Sequence, residues 1–92
     1  MDDKKVWHLY MLRCSDGTFY TGITPDVKKR LHTHNAGRGA KYTRGRLPVA
    51  LVYTTVAGTK SEASKMEYVL RHKSRVDKEK LACYTDCDYV AD

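Results

Sequence analysis

Apolar and polar positions alternate through residues 6–13, with aromatic and branched side chains throughout, so this stretch predicts a β-strand. Ser15-Asp16-Gly17 is a turn signal, and residues 18–23 form the returning strand of a hairpin. Thr24 can then cap a helix with Pro25 at its first position and Asp26 favourably placed toward the helix dipole. That helix runs to about Ala36 and stops at Gly37. Residues 37–45 make a glycine-rich basic loop with room for one short helical turn. Pro48 admits a third strand over 49–56. A second long helix, capped by Ser61, covers 62–72 and carries an apolar stripe of Ala63, Met66, Val69, Leu70 and Lys73. Ser74 and Asp77 have the spacing of a capping box for a last helix through about Ala82. The sum is an α+β domain over 1–83, a small three-stranded, mainly antiparallel sheet flanked by helices, with a polar acidic tail over 84–92.

The hairpin register decides which side chains share a face. A two-residue turn would send Tyr10 and Tyr20 to opposite faces. A three-residue loop with Gly17 in the left-handed conformation instead pairs Cys14 with Thr18, Leu12 with Tyr20 and Tyr10 with Gly22. Leu9, Met11, Phe19 and Ile23 then line one face, and His8, Tyr10, Leu12 and Tyr20 the other. This register separates a core face from a candidate site face, so it is the expected one. Gly22, opposite Tyr10, is expected to leave room for a phosphate to approach.

Charge sharpens the picture. The chain has 92 residues, a formal charge of +6 and a pI near 9.3. No acidic residue falls between Asp26 and Glu62, while Lys28, Lys29, Arg30, Arg38, Lys41, Arg44, Arg46 and Lys60 lie inside that window. Such segregation makes a one-signed surface, as nucleic-acid partners require. Lys28, Arg38, Lys41, Arg44 and Arg46 are candidate phosphate contacts, and Tyr42 can stack on a base or sugar. The apolar run in 6–12 is too short for a secretory core or a membrane span. Cys14, Cys83 and Cys87 are odd in number and scattered, which argues against a disulfide framework. Cys83, Cys87 and His72 fit no common zinc-finger spacing. Free thiols in a cytoplasmic protein are the expectation.

Two helical positions hold candidate chemistry. Arg30 and His34 are an i,i+4 pair on one helix face, beside the apolar stripe of Val27 and Leu31, and the arginine can reach over the tyrosine face with two donors for a phosphate. Glu67 flanks the stripe of its own helix and needs a partner, either Arg71 at i+4 or a divalent cation such as Mg²⁺. Glu62, in the first turn, is explained by the helix dipole alone. Either Tyr10 or Tyr20 can take a proton if nearby cations lower its pKa.

The two triplets His8-Leu9-Tyr10 and Tyr20-Thr21-Gly22, followed by Arg30, His34 and Glu67, resemble the GIY-YIG nuclease domain over roughly residues 5–80. His34-Asn35 with Gly39-Ala40-Lys41 and Thr43 is similar to the small stand-alone bacterial group of that superfamily and to the catalytic subunit of structure-specific endonucleases. The resemblance implies an endonuclease fold and metal-dependent hydrolysis of DNA, in repair or recombination. It also implies Mg²⁺ or Mn²⁺ on Glu67 and products with 5′-phosphate and 3′-hydroxyl ends. Tyr10 and Tyr20 would handle the nucleophile, and Arg30 and His34 the phosphate charge. The resemblance admits branched or single-strand-containing DNA as substrate and a protein partner for targeting. The alternatives are a non-catalytic nucleic-acid-binding module and a nuclease subunit that needs its partner. Thr24 departs from the pattern, standing where the excision-repair branch has a lysine, and no counterpart is evident for the asparagine that some branches place after the glutamate.

Overall fold

The structure is a computed structural model and describes residues 5–84. Of the acidic tail expected over 84–92, residues 85–92, with Cys87, lie outside the described residues. Strand β1 (Trp7–Arg13) is central in a three-stranded sheet of order β2-β1-β3, with β2 (Phe19–Thr24) and β3 (Ala50–Gly58) both antiparallel to it. Helices α1 (Val27–Asn35) and α2 (Lys41–Arg44) lie between β2 and β3 in sequence, and α3 (Lys60–Arg71) and α4 (Arg75–Tyr84) follow β3.

The hairpin has the expected register. Tyr10 pairs with Gly22 and Leu12 with Tyr20, the Cys14 N–H donates to Thr18 O at 2.8 Å, and Gly17 takes a φ of 85°. Asp16 fixes the turn, its Oδ1 accepting from the Thr18 N–H at 3.1 Å and from the Thr18 hydroxyl at 2.7 Å. Because β1 is central, both its faces are covered. Leu9 and Met11 pack with Leu70 and Met66 of α3 and Leu81 of α4, whereas Tyr10, Leu12 and Cys14 pack with Val27 and Leu31 of α1 and with Val49 and Leu51. Each fully buried Leu or Met in this strand contributes roughly 1.5–3 kcal/mol. An irregularity opposite Met11 and Leu12 pairs Leu12 with Leu51 but Met11 with Tyr53, which sends two odd-numbered β3 residues to opposite faces.

Both long helices start elsewhere than expected. The cap of α1 is Asp26, which accepts from the Lys29 N–H at 3.0 Å. Thr24 is still paired with His8 in the sheet, and its hydroxyl accepts from the Asp26 N–H at 3.1 Å, so strand pairing outcompetes the earlier cap. The cap of α3 is Thr59 rather than Ser61, in a reciprocal capping box with Glu62. Ala63 and Leu70 are buried as the stripe requires, but Val69 is 58% exposed. Ser74 accepts from the Asp77 N–H at 3.2 Å at the start of α4, and Arg13 of β1 holds that helix through Glu79 at 2.7 Å. Among the described residues, no helix is long and apolar enough to cross a membrane.

Candidate active site

Tyr10, at the centre of β1, faces α1 with its ring buried, and its hydroxyl lies 3.0 Å from His34 Nε2. A Cβ added at Gly22 would fall 2.5 Å from that hydroxyl. The space left by this glycine is therefore taken by the tyrosine itself, not kept open for a phosphate. Gly39 does the same for His34, since a Cβ there would collide with Nδ1 of the imidazole.

The hydrogen-bond chain assigns its own protons. Thr43 Oγ1 lies 2.9 Å from Ala40 O, which can only accept, so the threonine hydroxyl proton points there. Its oxygen must then accept from His34 Nδ1, 2.9 Å away. A neutral imidazole protonated at Nδ1 carries a bare Nε2, and the Tyr10 hydroxyl donates to it. All three contacts are satisfied only in this arrangement.

His34 is fully buried, and burial first, then the charge of Arg30, lower its pKa from 6.5 to about 4. It is neutral at pH 7. The positive charge toward phosphate expected of it from the sequence is absent, because desolvation disfavours the imidazolium. Tyr10 is likewise pushed up to about 12, mainly by burial, against the pull of a donor from Arg30. The lowered phenol expected from nearby cations is thus overturned by desolvation, and Tyr10 holds its proton at neutral pH. Arg30 lowers the pKa of both residues.

The imidazole has a consequence for stability. An unfolded histidine titrates near 6.5 and the folded one near 4, so between these values the unfolded chain binds more protons. Stability is complete above about 6.5 and falls as pH drops through 4. At about 1.36 kcal/mol per pH unit, the loss is ~3 kcal/mol. Urea unfolding midpoints are expected to decline across this window in wild type, and the decline should flatten in His34→Gln.

Tyr20 packs its ring against His34 (centroids 5.3 Å) and against Tyr42 of α2, stacked at 6.0 Å and 27°. Arg46 lies over the Tyr42 ring at 4.0 Å and is tied to Asp16 through Nε at 2.9 Å and to Tyr42 O at 2.8 Å. Its guanidinium holds the tyrosine stack to the hairpin turn. Lys28, Arg38, Lys41 and Arg44 are exposed.

Glu67 comes from the helix on the other side of the sheet, beside the open strand β2. Its side chain is 24% exposed, 3.8 Å from Arg71 Nη1, and its charge is felt at Tyr10. Glu62 is committed to the capping box and is removed from the site. Among the described residues no three His, Cys, Asp or Glu side chains are grouped as a cation cage. A lone, partly buried carboxylate suits Mg²⁺, which commonly takes one or two carboxylates with waters and substrate phosphate, and it does not suit structural zinc. Cys14 is a buried free thiol, kept protonated by burial, and the side chains of Cys83 and Cys87 lie outside those described.

The GIY-YIG catalytic domain model matches residues 6–81 of the chain. The chain belongs to the GIY-YIG family. Its relatives include a UPF0213 protein of Halobacterium salinarum, 55% identical over 80% of this chain and 96% of that protein. A UPF0213 protein of Streptococcus agalactiae is 56% identical over 74% of this chain and 77% of its own length. The NMR structure of a UPF0213 protein from Bacillus halodurans superposes with a TM-score of 0.55 at 45% identity, covering 91% of this chain and 89% of that one. The chain is thus similar to domain-length members of the family, whose catalytic domain implies nuclease-type activity.

Two functional positions escaped the sequence reading. Thr43 and Gly39 belonged to the resemblance but had no role attached. A threonine hydroxyl nine residues after a helical histidine, with a glycine between them, is the signal that marks an imidazole held from behind.

Proposed function

We propose that this protein is a metal-dependent endonuclease that hydrolyses DNA phosphodiester bonds, acting on branched or single-strand-containing DNA in repair or recombination. The observation that carries the reading is the buried Tyr10–His34–Thr43 chain, in which the Tyr10 hydroxyl donates to the unprotonated nitrogen of the imidazole. A buried phenol needs an acceptor, and the acceptor here is a base that can also take its proton.

In this account a water attacks phosphorus and gives its proton to the Tyr10 oxygen, while the tyrosine's own proton passes to His34 Nε2. No free phenolate is needed, so a pKa near 12 is no obstacle. A pKa near 4 makes His34 a weak base in the free protein, but negative charge growing on phosphorus favours the imidazolium as the water adds. Arg30 donates to the non-bridging oxygens, where that charge develops. Tyr20 is more exposed than Tyr10 and orients the water or the phosphate. The bond to the 3′ oxygen breaks, and that oxygen takes a proton from solvent. Glu67 would hold Mg²⁺ or Mn²⁺, which when bound supplies charge neutralisation at the phosphate and the leaving oxygen.

The test is incubation of the protein with labelled linear, flap and branched DNA in Mg²⁺, Mn²⁺ or EDTA. Metal-dependent products with 5′-phosphate ends support the reading. Salt-sensitive binding without product from any substrate would favour a binding module, or a subunit that cuts only with a protein partner.

A further inference from the structure

Arg30 has two neighbourhoods. One is the tyrosine–histidine cluster. The other is a cleft of about 500 Å³ between α1 and the open ends of β1 and β2, lined by Lys5, Thr24, Asp26, Lys29, Arg30 and Thr33. We propose that this cleft is a second phosphate-binding subsite, which seats a nucleotide flanking the cut. The inference rests on the nuclease reading and names where the substrate strand runs.

The placement follows from periodicity. Asp26, Lys29, Arg30 and Thr33 stand at i, i+3, i+4 and i+7, so they form one continuous stripe along α1. Tyr20, Gly22 and Thr24 stand at alternate positions of β2, and their partners in β1 are Leu12, Tyr10 and His8. The same sheet face therefore leads from the catalytic hydroxyl to the cleft. Two strand residues advance about 6.8 Å, about two nucleotide rises of 3.4 Å along a duplex. A strand whose phosphate lies at the Tyr10 hydroxyl reaches the cleft within about two nucleotides.

The chemistry selects an anion. Three cations line the cleft, from Lys5, Lys29 and Arg30. Its carboxylate, Asp26, is already engaged by the Lys29 N–H. The Thr33 hydroxyl donates to Lys29 O, and the Thr24 hydroxyl is held in bonds to Asp26. With both hydroxyl protons committed, recognition falls to the ammonium and guanidinium groups. The volume is in the range of sites that hold a small ligand. Lys29 is exposed, so its head is available to a phosphate.

The experiment titrates the ¹⁵N-labelled full chain, in EDTA, with the 5′-phosphorylated thymidine dinucleotide. The largest shifts are expected at the Thr24, Lys29 and Thr33 amides. In parallel, binding of a single-stranded oligonucleotide is followed against salt. Lys29→Ala should lower the magnitude of the log–log slope by about 0.7, the loss of one phosphate contact. Lys73→Ala, on the opposite face, should leave it unchanged. Shifts confined to residues 41–46, or a wild-type slope in Lys29→Ala, would overturn the subsite. Because EDTA suppresses cleavage, these outcomes judge the cleft alone. Absence of metal-dependent cleavage by the wild type would count against the nuclease reading instead.

Discussion

Tyr10→Phe is expected to lower the DNA-cleavage rate by a factor of about 10² to 10⁴, the range of a positioned acid–base group, while leaving DNA binding near wild type. The substitution removes one oxygen from a ring that is otherwise fully packed, so the core shared with Leu12, Val27 and Leu31 is retained. It also leaves His34 Nε2 without its donor. His34→Ala should produce a loss of similar size, and the double variant should be little worse than either single one. Members of one proton chain act as a unit and are strongly non-additive. Single-turnover rates on labelled branched DNA would measure this. Independent losses that multiply in the double variant would break the relay.

Arg30→Ala should cost about 10² to 10³ in the same rate, as for removal of a donor aimed at developing negative charge. The variant carries a second, spectroscopic consequence. Arg30 lowers the pKa of His34 through its charge and pulls that of Tyr10 down through a donor contact. Without it the histidine should titrate above about 4, still below 6.5 because burial is the larger cause. The tyrosine should rise further. Arg30→Lys restores the charge but not the planar pair of donors, so it should recover the histidine titration more fully than the rate. Histidine ¹⁵N shifts followed against pH would show this directly. An unchanged His34 titration in Arg30→Ala would place the guanidinium away from the imidazole.

Much of this site was legible in the chain because it rests on local rules. The turn Ser15-Asp16-Gly17 demands a left-handed glycine, and a period of two then carries Tyr10 to Gly22. An i,i+4 spacing put His34 beside Arg30. Rules that depend on competition were less legible. Thr24, Asp26, Thr59 and Ser61 can all cap a helix. Which ones do so depends on where β2 stops pairing with His8 and on Glu62 folding back to Thr59. The irregularity opposite Met11 and Leu12 has no mark in an alternating pattern, yet it sorts Leu51 from Tyr53.

The charge states were the least visible feature. Tyr10 and His34 look activated when only their basic neighbours in sequence are counted. Burial reverses both, and burial depends on how α1 lies over the sheet and how Thr43 closes behind the imidazole. The basic loop shows the same limit. Arg46 reads as a phosphate ligand beside Arg38, Lys41 and Arg44, but the structure occupies it with Asp16 and Tyr42, contacts thirty and four residues distant in sequence.

We propose that Glu67, carried by the helix on the far side of the sheet, holds the metal on which cleavage depends. Cleavage of branched DNA by wild type and Glu67→Gln, side by side in Mg²⁺ and in EDTA, decides the matter. Products are expected only from wild type with metal, with Glu67→Gln retaining its fold and its DNA affinity. Equal cleavage by Glu67→Gln, or wild-type cleavage that persists in EDTA, would contradict it and leave Glu67 as the ion-pair partner of Arg71.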